Sequence, residues 1–362
     1  MKIYLNLFIV LLLTNCNNDN SLAKDLSLLP FNGNVKTIQN INYKGEIKFG
    51  EPSKTIVDYR YRNIFHFSKK WVESETNIDL GFRLDRNYKY KFDTKGNCIE
   101  NYDHDYNLNK FNLDSRFIYN NEKHSESEYY FEKDNGKLSF KLVIEYDKHD
   151  NLTKFSERNN QNITISELSV KNHYEKGLLI ESKKLDSTGN LLNSIKYKYH
   201  TDSNKKSELL YWSSFSFEKE TEQTLFDLNG NIVEFNSFDN NKKLIGKTKY
   251  EYDANNNMIK KVKYDKNGDL ALKINYEFNS KNQVIHKTEF DESNEEKQEI
   301  YDYNTNGFVS EVKVIEYDYR GREETTIFSF DYKIDSYKNW TIQNTYENNE
   351  LVLISERKID YY

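Results

Sequence analysis

Three stretches place side-chain oxygens at alternate positions: Asp227-Asn229-Asn231, Asp253-Asn255-Asn257 and Asp265-Asn267-Asp269. Alternating oxygens are the first half of a calcium loop, which also needs Gly at its sixth position and a bidentate Glu at its twelfth. Here the sixth position is Ile232, Met258 or Leu270, and the twelfth is Phe238, Tyr264 or Tyr276. The pattern therefore predicts hairpin turns rather than calcium sites. Asp bonds the backbone two residues on, and Asn or Gly tolerates positive φ. His66, His104, His124, His149, His173, His200 and His286 are scattered without a metal-ligand spacing. No nucleophile elbow, phosphate loop or dinucleotide fingerprint occurs. Acidic residues sit in turns and at alternating positions, the pattern of a solvated surface. A glycosidase-type carboxylate pair stays open, because spatial pairing is not legible in a sequence.

The elements that must carry these residues are set by composition. The chain has 362 residues, of which 36% are hydrophobic and 30% charged. A chain this polar could be disordered, yet it holds 29 Tyr and 22 Phe, and disordered chains are poor in aromatics. Its core must be built largely from Tyr and Phe. Two Pro residues exclude Pro-rich stalks, and a net charge of −6 argues against nucleic acid as a partner. No composition or spacing points to a cofactor.

The N-terminus reads Met1-Lys2, a short apolar run from Leu7 to Leu13, then Leu13-Thr14-Asn15-Cys16. One positive charge before a short apolar run is a secretory signal layout. A run far below about 20 residues does not span a bilayer. Cys directly after Leu-Thr-Asn resembles a bacterial lipobox. The resemblance implies that residues 1–15 are a signal peptide and that Cys16 becomes the acylated first residue. It also implies a polar tether over 16–34 and, with Asn17 after the Cys, sorting to the outer membrane. Cys98 then remains alone, so no internal disulfide is expected. Its place after Gly96-Asn97 at a strand start predicts a buried structural thiol.

Internal similarity is the strongest signal. Aromatic-Asp/Asn units recur with the acidic or amide residue at 227, 239, 253, 265, 279, 291 and 304, spaced by 12, 14, 12, 14, 12 and 13. Weaker copies are Phe92-Asp93, Tyr146-Asp147, Leu185-Asp186, Tyr317-Asp318 and Ile334-Asp335. From Leu270 to Phe278, Leu270, Leu272, Ile274, Tyr276 and Phe278 share one face, and Lys273, Asn275 and Glu277 the other. That is the period of a half-buried strand. Loops of about four residues make successive strands antiparallel neighbours of alternating length. Residues 35–362 thus read as one all-β domain, a long antiparallel meander. With no helix layer to cover its apolar face, it must form a curled, twisted or partly closed sheet, shell-like or solenoid-like.

Tyr90-Lys91-Phe92-Asp93-Thr94-Lys95-Gly96-Asn97 and Tyr317-Asp318-Tyr319-Arg320-Gly321-Arg322 carry a further resemblance. The chain resembles YD-repeat, or RHS-repeat, proteins over roughly residues 85–362, in the manner of small outer-membrane lipoproteins. It departs from toxin-bearing RHS proteins in having no Pro after Pro52 and no variable C-terminal region. The resemblance therefore implies the scaffold without toxin delivery.

A repeat explained by folding alone leaves its departures as functional candidates. The clearest runs from His200 to Gln223 and contains Leu210-Tyr211-Trp212-Ser213-Ser214-Phe215-Ser216-Phe217. Tyr211, Phe215 and Phe217 share strand parity, and Trp212 points the other way. Packing against a neighbouring strand is the ordinary fate of such a Trp. Trp212 with Tyr211 is also the candidate contact for a ligand, because a Trp gives a flat apolar platform. The sequence supports an envelope lipoprotein that binds a glycan or another protein. A carboxylate-dependent hydrolase and a purely structural protein are the alternatives.

Overall fold

The computed structural model describes residues 31–48, 51–56, 87–120, 123–130, 137–213, 221–291, 294–318 and 320–362. The signal, Cys16, and the Phe215 and Phe217 end of the irregular segment lie outside the described residues.

One local interaction builds most of this structure. At Asp93, Asp147, Asn159, Asp186, Asp227, Asp239, Asp253, Asp265, Asn279, Asn304, Asp318 and Asp335, the residue's N–H donates to the carbonyl four residues on. The N–H three residues on donates back to its own carbonyl. In each, the Oδ1 also accepts the backbone N–H groups two and four residues later, as Asp253 does from Asn255 and Asn257, both at 2.8 Å. The residue at the third position has φ between 59° and 90° in all twelve; it is Gly in six and Asn, Asp or Lys in the rest. This is a type I turn followed by a left-handed residue, and it closes a three-residue hairpin loop with a bulge. The three calcium-like stretches are such turns, as expected, with their carboxylate oxygens spent on N–H groups. Asn159 is a turn that the sequence spacing does not single out. Asp291 differs from the expectation, since it pairs with Asn294 across the hairpin instead of capping a turn of this kind.

The strands between turns alternate in length, as in Ile232–Phe238, Leu244–Tyr252, Met258–Tyr264 and Leu270–Phe278 (7, 9, 7 and 9 residues). Twenty-three strands, numbered in chain order, form one sheet, and no helix occurs among the described residues. From β3 (Tyr88–Phe92) and β4 (Cys98–Asp105) the meander runs without interruption to β22 (Trp340–Glu347) and β23 (Glu350–Tyr361).

The sheet closes, which corrects the expectation of a curled or partly closed one. Strand β1 (Val35–Lys48) is 14 residues long and pairs along both edges. One edge takes β23, from Val35 opposite Tyr361 to Lys44 opposite Leu353. The other edge takes β3, with Thr37 to Asn40 opposite Lys91 to Tyr88, and then β2 (Glu51–Ile56). Setting β2 aside, the other 22 strands make a ring, a closed antiparallel β-barrel. Closure needs the first described strand to meet the last, about 310 residues away. No local repeat encodes that meeting.

The apolar face is the buried one. Along β17 (Leu270–Phe278), Ile274 and Tyr276 are buried and Glu277 is exposed. Buried side chains form three clusters, each drawn from neighbouring strands. One centres on Ile144, Phe155 and Ile195, one on Tyr276, Tyr301 and Val312, and one on Ile38, Tyr90 and Phe92 with Cys98. Cys98 is therefore buried, as expected. Tyrosines at strand ends also staple the bulges. The Tyr252, Tyr303 and Tyr332 hydroxyls donate to the Ile232, Val284 and Val309 carbonyls at 2.8, 2.6 and 2.8 Å.

The turns make stability acid-sensitive. The Thr188 hydroxyl and the Asn190 amide donate to the Asp186 carboxylate at 2.7 and 3.0 Å and hold its pKa at about 2. A depressed carboxylate stabilises the fold above its unfolded pKa, near 3.8, and loses that contribution as pH falls through about 2. Asp186→Asn keeps the Oδ1 acceptor, the arrangement Asn159, Asn279 and Asn304 already use, and removes the charge. The gap in Tm between wild type and Asp186→Asn should therefore be largest above about pH 5 and shrink toward about pH 2. A gap that stays constant across that range would show that the Asp186 charge has no part in the turn's stability.

Candidate functional site

Non-repeating residues gather where β1 closes the ring. Asn40 lies opposite Arg357 of β23 on one side and opposite Tyr88 of β3 on the other. All three belong to the buried face, with exposures of 3%, 7% and 2%. The Arg357 guanidinium carbon sits 3.2 Å from the centre of the Trp340 ring and 5.2 Å from that of Phe31. Tyr332 adds a third ring, 6.5 Å from Trp340. Stacking of this kind contributes about 0.5–2 kcal/mol and returns only part of what burying the cation costs. Among the described residues, the electrostatic neighbours of Arg357 are the phenols of Tyr88 and Tyr332, and no carboxylate is paired with it. Burial pushes the guanidinium below its ordinary pKa and pushes the Tyr88 phenol up. Tyr88 is near enough to favour the Arg357 charge without a bond of hydrogen-bonding geometry. Three atoms in this row have no partner: Arg357 Nε, the Tyr88 hydroxyl and Asn40 Oδ1.

The groups around them are satisfied. Asn40 Nδ2 and the Ser355 hydroxyl donate to Asn42 Oδ1 at 3.0 and 2.7 Å. The Asn42 N–H donates to Asn87 Oδ1 at 2.7 Å. His104 is held between Asn87 (Nδ1, 3.4 Å) and Asn109 (Nε2, 3.3 Å). Asn339 ties down the residues before β1 by accepting from the Asn32 N–H at 2.7 Å and donating to its carbonyl at 2.8 Å. That holds Phe31 near the guanidinium.

A second polar cluster lies on the buried face of β18 (Val284–Asp291) and β19 (Asn294–Tyr303). Glu299, 3% exposed, accepts from the Tyr301 hydroxyl and lies 2.9 Å from Lys297 and 3.8 Å from Lys287. Lys287 also reaches Glu289 at 3.6 Å. Two carboxylates thus flank one ammonium. In this arrangement every acid faces a base, and the cluster acts as an ion-pair ladder. Elsewhere Lys184 is buried opposite Val170 and Asn193, and burial pulls its pKa down to about 8. Among the described residues, no group of three or more His, Cys, Asp or Glu could hold a metal ion.

Tyr211 and Trp212 occupy opposite faces of β12 (Lys206–Ser213), as their parity requires. Tyr211 packs on the cluster containing Ile195 and Tyr197. Trp212 stands on the wet face, half-buried, opposite Thr221 of β13 (Thr221–Phe226). Thr221 in turn lies opposite Phe238 of β14 (Ile232–Phe238). Directly opposed residues share a face. Trp212 and Phe238 therefore flank a small Thr, about 10 Å apart across two strand spacings. The structure brings Trp212 together with Phe238, not with Tyr211. Phe238 is missed in the sequence because its neighbour across the sheet is set by pairing, and Arg357 because it interrupts no repeat.

No protein-family model and no curated protein matches the chain. Among solved structures, a porin-like protein from Bacteroides uniformis is similar over 68% of this chain and 95% of its own, at 8% identity and a TM-score of 0.29. A porin-like protein from Bacteroides vulgatus is similar over 61% of this chain and 94% of its own, at 14% identity and a TM-score of 0.25. A Photorhabdus luminescens Tc holotoxin pore is similar over 78% of this chain but 20% of its own, at 9% identity and a TM-score of 0.23. The barrel rests on the strand pairing above and not on these likenesses.

Removing Glu299 would leave Lys287 with Glu289 and Lys297 with Glu316, each at 3.6 Å, and take away the 2.9 Å partner of Lys297. Glu299→Ala should destabilise by about 1–3 kcal/mol, and Tyr301→Phe by about 1 kcal/mol. Urea denaturation of both variants measures this. A loss under about 1 kcal/mol for Glu299→Ala would mean that the ladder is solvated and carries no structural weight.

Proposed function

We propose that the protein is a lipid-anchored binding protein of the cell envelope. Cys16 carries the anchor, and a barrel built of YD-type units presents a contact surface for a glycan or an envelope protein. The observation that carries the binding reading is the Trp212–Thr221–Phe238 row on the wet face. Two rings about a Thr make a shallow apolar cleft on a charged wall. A sugar ring can stack there with its hydroxyls in water.

Anchoring through a lipid is supported by the character of the wall. A barrel that spans a membrane turns an apolar belt about 25 Å tall toward the lipid. Here the apolar face is buried, and the exposed face shows Lys249, Glu251, Glu277, Asp302 and Glu311. Charge on that scale belongs in water. Membrane attachment then falls to acyl chains on Cys16, and two or more chains give a stable anchor.

Cys16→Ala should move the protein from the detergent phase to the aqueous phase on phase partitioning. If that variant still partitions into detergent, something other than Cys16 anchors it. On a glycan array, wild type should bind a defined set of glycans, and Trp212→Ala should lose them while keeping the wild-type Tm. A Trp212→Ala protein that unfolds, or that binds as wild type does, would return Trp212 to a packing role.

A further inference from the structure

A charge inside a protein needs a counter-charge, and Arg357 has none among the described residues. Its Nε is a buried donor without an acceptor. The next residue in the row, Asn40, presents an Oδ1 without a donor. The one after, Tyr88, presents a hydroxyl that can donate or accept. The Asn40 amide cannot turn to relieve this cheaply, because its Nδ2 is committed to Asn42 Oδ1, which the Ser355 hydroxyl also holds. Three adjacent unsatisfied atoms would each cost about 1–3 kcal/mol if they stayed so.

A water molecule could satisfy the bonds but not the charge. An oxyanion that keeps one hydroxyl does both. Two of its oxygens accept from Arg357 Nε and the Tyr88 hydroxyl, and its own hydroxyl donates to Asn40 Oδ1. We propose that the closing row Arg357–Asn40–Tyr88 is a binding site for a small oxyanion bearing a hydroxyl, of the hydrogen-phosphate or hydroxycarboxylate type. Trp340 covers the guanidinium on one side, and Phe31, on the segment lashed by Asn339, lies against it as well. Movement of Phe31 would admit the ligand. Because the row joins β23, β1 and β3, the bound anion also bridges the three strands that close the barrel. The site is on the opposite wall face from Trp212, so it stands apart from the surface reading above.

The test is calorimetric titration of the full chain with inorganic phosphate, lactate, acetate and chloride at matched ionic strength. Saturable binding of phosphate, lactate or both is expected, with acetate weaker for want of the hydroxyl and chloride silent. Which of phosphate and lactate binds assigns the source of the oxyanion. Arg357→Met should abolish binding. Tyr88→Phe guards against a variant that does not fold, since it keeps the ring and removes one hydroxyl whose contact with Arg357 falls short of hydrogen-bond geometry. Its affinity should fall about tenfold or more, the share of one bond to a charged group. Trp212→Ala should bind as wild type does, so a failure of the surface reading leaves this one standing. The proposal is overturned if phosphate and lactate give no saturable binding to wild type. It is equally overturned if chloride matches them or if Tyr88→Phe binds as tightly.

Discussion

The structure depends on one carboxylate or amide oxygen placed to accept two backbone N–H groups, two and four residues downstream. It works only with a left-handed residue at the third position, which Gly takes without strain and Asn or Asp at small cost. Lys242 and Lys338 hold the same position at φ of 62° and 65°. An L-residue there costs on the order of 1 kcal/mol, so the side-chain bonds must over-determine the turn. Once the turn forms, the hairpin register is fixed, and with it the face that every side chain takes. The bulge bends and twists each strand pair in the same hand. Repetition of one bend is what brings a long meander round on itself.

That dependence explains what could be read in the sequence. Turn positions, strand alternation and the burial of Tyr276 against exposure of Glu277 are local, so spacing and parity reveal them. Asn159 was hidden because an amide replaces the acid and no aromatic precedes it. Asp291 fits the same spacing but ends a strand opposite Asn294, because the residue type alone does not separate a turn from a strand end. Closure was illegible for a different reason. Val35–Lys48 contains no Asp turn, and its partners are the strands ending at Phe92 and Tyr361. Pairing between segments that far apart in sequence is selected by the whole ring. The Arg357 row shares that illegibility, because it exists only after three distant strands meet.

Among the buried hydrophobic residues described, twenty are Val, Leu or Ile and nine are Tyr or Phe, which corrects the expectation of a core built largely from Tyr and Phe. Tyrosine adds a ring for the buried face and a hydroxyl for the polar groups that bulges strand. Tyr252, Tyr303 and Tyr332 each give that hydroxyl to a carbonyl at the start of the neighbouring strand. Burial in turn pushes the Tyr303 phenol up to about 12, so it stays a donor across physiological pH. Where the wall carries charge at Glu299 it does so in a compensated set, whereas burial alone acts on Lys184. The polar composition is therefore compatible with a closed fold because most of its turn and bulge polar atoms are matched locally.

Unpartnered buried atoms also occur singly, at Ser156, Arg158, His200, Asn236 and Asn257, but the closing seam brings three together in one row. β3 has five residues and pairs over four positions with β1 and four with β4, among the shortest ladders in the ring. Backbone bonds alone hold this joint less firmly than the five to seven pairs of the later hairpins. A ring removes the exposed edges that a long sheet would otherwise present, so the joint must hold if those edges are to stay paired. The same short strand contributes Tyr88, and the strand on the far side of β1 contributes Arg357. The repeat that builds the wall cannot specify this joint, and the residues that do specify it leave an unmatched cation and two unmatched oxygens. In the proposed site closure and recognition meet in one row of side chains, and a ligand that completes the row would also strengthen the shortest joint of the barrel.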